Sequence, residues 1–188
     1  MINMFYLENP KEIKASFREK KDFPSVVLFD FFEKDIFRLV EKEIFKLSFY
    51  REKKPMFHSY ASANLPNVLR KIFSSPEFTG FITKVIGKKF TRFRAQIYSF
   101  SARDYTLLND SHKETAGIDI IFDFTEVWDS SSGGQITYVN GTGDALKLPI
   151  KQNSLMIVRR QKNVQRFVKY VNHTARKKRR HFLMMSVG

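Results

Sequence analysis

Cysteine is absent from the 188-residue sequence, which excludes disulfide bridges, a thiolate nucleophile and a metal site built from thiolates. Only four histidines are present, so a metal site would have to combine imidazoles with carboxylates. No apolar run approaches the roughly 20 residues that cross a bilayer, and residues 1–10 lack the basic and apolar pattern of a secretory signal. We therefore expect a cytoplasmic protein that does not enter a membrane.

Acidic residues are absent after Asp144, whereas 12 Lys and Arg residues follow it. Up to Asp144, 21 basic residues face 19 acidic ones, so most of the net charge of +14 comes from the C-terminal segment. Such a segment favours an anionic partner, for which nucleic acid, the ribosome and an acidic protein are candidates. A basic surface that only keeps the protein soluble is the alternative. The pattern does not indicate an oligomeric state.

Apolar residues are abundant, because hydrophobic residues make up 43% of the chain and 20 residues are Phe. A chain of this length and composition is expected to form one packed domain, residues 1–188. Apolar positions recur at helical spacing from Glu33 to Phe49, and Ser74 and Glu77 have the spacing of a capping pair before a helix that Gly87 ends. The elements predicted for this half are a helix at 10–21, a strand at 25–30, a helix at 33–49, a polar loop at 50–63, and helices at 65–73 and 75–87.

Beyond Lys88 the sequence alternates between apolar and polar residues in short runs, separated by turn residues such as those at 132–134 and 140–143. The runs lie at 89–100, 104–110, 117–125, 135–139, 154–158, 164–171 and 180–187. Helices followed by many short strands predict an α+β fold, a double-stranded β-helix (jelly roll) with the N-terminal helices packed on one sheet. The helical part would cover about residues 10–87 and the β-barrel part about 88–188.

Several motifs follow one another in the order of a known enzyme family. They are the strand and helix start Val26–Phe32, the segment Ser75-Pro-Glu-Phe to Ile86-Gly87, the pair Tyr98 and Tyr105, the hairpin Trp128-x-x-x-x-Gly133-Gly134-x-Ile136, and the step Pro149 to Asn153-x-Leu155. In this order the chain resembles the 2-oxoglutarate/Fe(II)-dependent dioxygenases of the prolyl 4-hydroxylase type. The resemblance is closest to the intracellular branch that acts on proline in folded or ribosomal proteins.

The resemblance implies where iron would bind, because that family holds Fe(II) with two histidines and one carboxylate. The family's H-x-D pair, which projects from one face of a strand, falls on Asn109 and Ser111 in this sequence, and the second histidine falls on Arg166. A carboxamide and a hydroxyl are poor ligands for Fe(II), and a guanidinium repels it. The resemblance therefore implies a pseudoenzyme, a non-catalytic binding module with a basic surface, for which neither iron nor 2-oxoglutarate is expected.

An active dioxygenase with displaced ligands is the alternative. His112 and Glu114 form an H-x-E pair that could supply a nitrogen and a carboxylate, with His173 or His181 as the third ligand. Such an enzyme would require Fe(II) and 2-oxoglutarate and would hydroxylate a protein or a small molecule. The simpler interpretation of residues 112–115 is a solvated polar loop.

Two residues match the positions at which the family holds 2-oxoglutarate. Arg180 matches the basic residue that pairs with the distal carboxylate, with Arg179 as the alternative, and Tyr98 matches a tyrosine that helps to hold the cosubstrate. Alternation along the last strand lets only one of its two sets of residues face the barrel interior, and the resemblance implies that Arg180 belongs to that set and is buried, while Lys177 and Lys178 are exposed.

A buried charge at Arg166 would also need a partner, because an unpaired charge inside a protein costs several kcal/mol. Asp119, Asp123 or a bound anion are the candidates.

Overall fold

The computed structural model describes residues 1–90, 93–108 and 115–187. Within these ranges the helices are α1 (Met4–Glu8), α2 (Pro10–Glu19), α3 (Lys34–Phe45), α4 (Asn67–Phe73) and α5 (Pro76–Ile86), and there are short 3-10 turns at Ser130–Ser132 and His173–Ala175. The strands are β1 (Ser25–Leu28), β2 (Tyr50–Lys54), β3 (His58–Asn64), β4 (Arg94–Phe100), β5 (Tyr105–Thr106), β6 (Gly117–Asp123), β7 (Ile136–Val139), β8 (Ala145–Lys147), β9 (Ser154–Arg160), β10 (Gln165–Val168) and β11 (Arg180–Val187).

The strands form two antiparallel sheets in the described part of the chain. The larger sheet has the order β1-β9-β6-β11-β4-β3-β2, with β5 paired to β3, and the smaller has the order β10-β7-β8. Residues from both sheets form one apolar core, in which Phe100 and Met156 of the larger sheet meet Ile136 and Val168 of the smaller one. This is the predicted α+β architecture, a double-stranded β-helix with an added helical layer.

The helices cover the outer face of the larger sheet. In α3 the buried residues Phe37, Val40 and Ile44 recur every three or four positions, so that they form one stripe along the helix. Helix α5 begins at the cap Ser75, whose side chain accepts from the Phe78 amide, and it ends at Gly87, which has the left-handed φ of 72° that favours glycine. Both helices contribute to a second core with alternate residues of β6, β9 and β11. Among the described residues, no helix is long and apolar enough to cross a membrane.

Strand β11 lies between β4 and β6 and separates the two cores. Phe182 and Met184 face the core between the sheets, whereas Leu183 and Met185 face the helices. Arg180 lies on the same face of β11 as Phe182 and is fully buried, while Lys177 and Lys178 are exposed. The predicted register of this strand is therefore confirmed.

The predicted polar loop at 50–63 is wrong, because these residues form the hairpin β2–β3 at the edge of the larger sheet. Strand β2 is largely exposed and β3 buries the small residues Ser59, Ser62 and Ala63, so the hairpin lacks the apolar alternation of a core strand. Strands β1, β2 and β3 also belong to the larger sheet, so helices and strands are not divided at residue 87. Helix α1 and strand β8 were not predicted from the sequence.

Candidate functional site

A buried carboxylate at the centre of the barrel binds two guanidinium groups. Asp119 of β6 is fully buried, and its Oδ2 atom lies 2.8 Å from Arg166 Nη1 of β10 in an ion pair. Arg160 Nη1, at the end of β9, donates to both carboxylate oxygens over 3.0 and 2.9 Å. Of the partners predicted for Arg166, the structure therefore places Asp119 beside it.

Two hydroxyl groups complete the surroundings of Asp119. Ser186 Oγ donates to Oδ1 over 2.8 Å, and Tyr138 Oη donates to Oδ2 over 3.0 Å. Burial of Tyr138, reinforced by the Asp119 charge, raises its pKa well above the usual value, so the phenol stays protonated and remains a donor. The carboxylate thus accepts from several strands at once, which offsets part of the cost of burying three charges. We call Asp119, Tyr138, Arg160, Arg166 and Ser186 the barrel cluster.

Sequence reasoning missed three members of the barrel cluster, namely Tyr138, Arg160 and Ser186. The signal for Arg160 was present, because Met156, Val158 and Arg160 alternate along β9 and the first two face the core between the sheets. In the same way, Ser186 follows Arg180, Phe182 and Met184 among the alternate residues of β11 that face the barrel interior.

Arg180 is enclosed by protein groups. Its Nη2 atom lies 3.2 Å from Asp123 Oδ2, its Nη1 atom donates to the Gly134 carbonyl oxygen, and its guanidinium carbon lies 4.8 Å from the centre of the Phe182 ring. Arg180 and Asp123 are both fully buried. A role for Arg180 in binding 2-oxoglutarate stays a prediction, and that role would require the guanidinium to exchange Asp123 for the cosubstrate.

Tyr98 lines a cleft of about 220 Å³ between the two sheets. Its ring stacks on Phe182 at 5.2 Å between centres and meets the edge of Tyr60 at 5.4 Å. Burial of Tyr60, helped by the neighbouring Tyr98 and Glu52, raises its pKa, and its hydroxyl donates to Glu52 over 3.1 Å. Arg166 also lines the cleft, which places an aromatic wall beside the barrel cluster. Cosubstrate binding by Tyr98 likewise stays a prediction.

The family model for the "oxoglutarate and iron-dependent oxygenase degradation C-term" domain matches residues 48–187. The chain belongs to this family. The match covers the β2–β3 hairpin, helices α4 and α5 and every strand from β4 to β11. The predicted relationship to 2-oxoglutarate/Fe(II) oxygenases is therefore confirmed.

Solved structures share the fold of this family member at low sequence identity. An oxidoreductase of the 2OG-Fe(II) oxygenase family from Burkholderia pseudomallei has a TM-score of 0.73 and 12% identity, over 95% of this chain and 90% of that one. A prolyl-4-hydroxylase from Pseudomonas putida has a TM-score of 0.68 and 10% identity, over 93% and 97% of the two chains. The epimerase SnoN from nogalamycin biosynthesis, in complex with Fe3+ and alpha ketoglutarate, has a TM-score of 0.66 and 8% identity, over 96% and 83%. No curated protein matches the chain.

The family name implies iron, but the described residues do not fit an iron site. Arg166 occupies the position that the resemblance assigns to the third ligand, and it forms an ion pair with Asp119. Residues 1–90, 93–108 and 115–187 contain no group of three or more His, Cys, Asp or Glu side chains that could hold a metal. Asn109, Ser111, His112 and Glu114 lie outside the described residues.

Neither candidate for a third ligand in the displaced site faces the barrel cluster. His181 lies on the helix side of β11, where its ring contacts Phe45 and Phe49 at 6.3 and 5.4 Å between centres. His173 is exposed on the 3-10 turn at His173–Ala175. Neither histidine therefore lies at the barrel cluster, while His112 and Glu114, with which they would bind the ion, lie outside the described residues.

His181 makes the stability of the fold sensitive to mild acid. Burial, with a smaller contribution from Arg179, lowers the pKa of His181 to about 4. An unfolded histidine titrates near ~6.5, so the unfolded state binds the extra proton first and stability falls between about pH 6.5 and pH 4. We expect the stability advantage of the wild type over His181→Gln to shrink by about 3 kcal/mol from pH 7 to pH 4, measured by urea unfolding.

The exposed His173 provides the control for this measurement. His173→Gln should unfold with the pH profile of the wild type. A pH-independent difference between the wild type and His181→Gln would contradict the assignment of a buried, neutral imidazole.

Proposed function

We propose that this protein is a non-catalytic member of its family, in which the barrel serves as a binding module for an anionic partner. The observation that carries the proposal is the ion pair between Arg166 and Asp119, because it puts a cation and its bound carboxylate where the resemblance would place an iron ligand. A guanidinium is always protonated in proteins and donates hydrogen bonds only, so it cannot replace a histidine as a ligand.

The position expected to bind 2-oxoglutarate supports the same proposal. Arg180 would have to leave Asp123 and the Gly134 carbonyl oxygen to bind a free dicarboxylate. That exchange would leave the fully buried Asp123 without its cation, at a cost of several kcal/mol. Arg166 and Arg180, one at a family position for iron and one at a family position for 2-oxoglutarate, are thus both held in ion pairs within the protein.

The surface charge of the C-terminal segment supports an anionic partner. Of the 12 Lys and Arg residues that follow Asp144, Arg160 and Arg166 share the carboxylate of Asp119 and Arg180 pairs with Asp123, so these three contribute less to the surface charge than the exposed ones. The exposed ones are Lys147, Lys151, Lys162, Lys169, Arg176, Lys177, Lys178 and Arg179. Binding through these side chains should weaken as salt screens them.

The proposal predicts that the wild-type protein does not bind Fe(II) or Mn(II) above background. Calorimetric titration under anaerobic conditions measures this, together with conversion of 2-oxoglutarate to succinate, which we expect to be absent. A catalytically active prolyl-4-hydroxylase, titrated in parallel, is the positive control for both measurements.

One outcome would favour the alternative, an active dioxygenase that uses His112 and Glu114. That outcome is stoichiometric iron in the wild type that His112→Ala abolishes and Arg166→Ala leaves unchanged. It would refute the proposed loss of catalysis.

A further inference from the structure

A large groove lies on the helix side of β11, between the end of α3 and the loops around residues 124–129 and 173–179. Its volume is about 1180 Å³, which is larger than the cleft beside the barrel cluster. Residues far apart in the sequence form its walls, among them Phe45, Val127, Trp128 and Arg176–Arg179. We call it the basic groove.

Cations dominate the charge of the basic groove. Arg176, Lys177, Lys178 and Arg179 all line it and are all exposed, so half of the exposed basic side chains after Asp144 lie at this one place. Glu126 and Asp129 are the carboxylates among its described lining residues. Asp129 accepts a hydrogen bond from the Ser131 amide over 2.8 Å, which lowers the pKa of Asp129 and keeps it ionised. Two carboxylates face four cations, so they offset only part of the positive charge.

The basic groove also has an apolar floor and an apolar rim. Ile44, Phe124 and Ala175 form buried parts of the floor, while Phe45 at 57% and Val127 at 83% exposure stand on the rim. Exposed apolar side chains beside polar ones are typical of a surface that contacts another protein. Both rim side chains can contact the apolar anchors of a peptide, whereas only Phe45 of the two offers a flat face on which a base could stack. The more exposed Val127 therefore favours a peptide over a single-stranded nucleic acid.

Hydrogen bonds hold the cationic wall in place. Lys178 Nζ donates to the Val127 carbonyl oxygen over 3.0 Å, and the Lys178 amide donates to the Ala175 carbonyl oxygen over 2.9 Å. Asn172 Nδ2 donates to the Ser131 carbonyl oxygen over 2.6 Å, and the hydroxyls of Ser132 and Thr174 lie 2.9 Å apart. These bonds order the backbone of this segment and the Lys178 side chain, which lowers the entropy that is lost when a partner binds.

We propose that the basic groove binds an acidic peptide segment that carries apolar anchor side chains. The carboxylates of the peptide would face Arg176–Arg179, and the anchors would contact Phe45, Val127 and the apolar floor. This inference rests on the proposed function and names the partner class and the surface of that binding module.

The probe is a short fluorescent peptide of Asp and Glu residues that contains two leucines and one phenylalanine, followed by anisotropy. We expect the wild type to bind it, and we expect Lys177→Ala/Lys178→Ala and Phe45→Ser/Val127→Ser each to weaken binding by at least about fivefold. The matched control is Lys147→Ala/Lys151→Ala, which removes two exposed cations outside the groove and should bind like the wild type. The unfolding midpoint of each variant shows that it is folded.

Three results would overturn the inference. They are the absence of peptide binding by the folded wild type, equal binding of a peptide in which serines replace the anchors, and tighter binding of a single-stranded RNA that the same cation variants weaken. None of these results requires iron. Iron binding by the wild type would instead overturn the proposed function, so the two failures are distinguishable.

Discussion

Asp119→Ala is expected to lower the free energy of unfolding by about 3 to 5 kcal/mol. The substitution removes the carboxylate from Arg160 and Arg166 and deprives the buried Tyr138 hydroxyl of its acceptor. Arg160 is almost fully buried, so its guanidinium cannot exchange Asp119 for water without disturbing the barrel. Urea unfolding followed by far-UV circular dichroism measures the loss.

The order of effects among variants tests the role of the barrel cluster. Arg166→Ala should destabilise less than Asp119→Ala, because Arg160 still neutralises Asp119 and the Arg166 side chain retains 21% exposure. Asp22→Ala, which removes an exposed carboxylate, should change stability by less than about 0.5 kcal/mol. Equal losses for Asp119→Ala and Asp22→Ala would contradict the proposed contribution of the buried cluster.

Asn109→His/Ser111→Asp/Arg166→His is expected to bind one Mn(II) or Fe(II) ion per chain, whereas we expect the wild type to bind none. The triple variant supplies two imidazoles and one carboxylate at the positions that the resemblance assigns to the ligands, and it removes the repelling guanidinium. Asp119 keeps Arg160 as its partner, so the change at Arg166 should not unfold the barrel. Calorimetry under anaerobic conditions measures the stoichiometry.

The matched control for this variant is Asn109→His/Ser111→Asp with Arg166 retained. We expect no metal binding by this double variant, because the resemblance implies that the Arg166 cation would remain beside the new ligands. A folded triple variant that binds no metal would show that residues 109, 111 and 166 do not converge and that the alignment with the family's ligands is wrong.

The sequence predicted best where alternation or helical spacing was strong. The stripe of α3 and the end of α5 at Gly87 were predicted correctly, and so was the inward-facing position of Arg180 on β11. The predicted capping pair Ser74 and Glu77 was wrong by one residue, because Ser75 caps α5. The hairpin β2–β3 was missed because it lies at a sheet edge, where one strand is exposed and the other buries small side chains instead of large apolar ones.

The sites were predictable only in part, for a different physical reason. Asp119 was among the candidates for the partner of Arg166 because a buried cation requires a carboxylate, and few carboxylates lie on strands. The basic groove was not predictable, since it forms only when α3 is placed against the segments at 124–129 and 173–179, both of which are distant from Phe45 in the sequence. The run of five cations at 176–180 is visible in the sequence, but the apolar side chains beside it are brought there by the tertiary fold.

The position of β11 determines when this fold can be completed during synthesis. Strands β4 and β6 are made first, yet each pairs with β11, whose residues 180–187 are translated later than those of every other described strand. Until that segment has left the translation machinery, the larger sheet consists of two parts with facing, unpaired edges, and such edges are prone to intermolecular pairing. A premature stop between Arg160 and Arg180 should therefore yield two half-sheets without their common strand, a species that we expect to aggregate or be degraded.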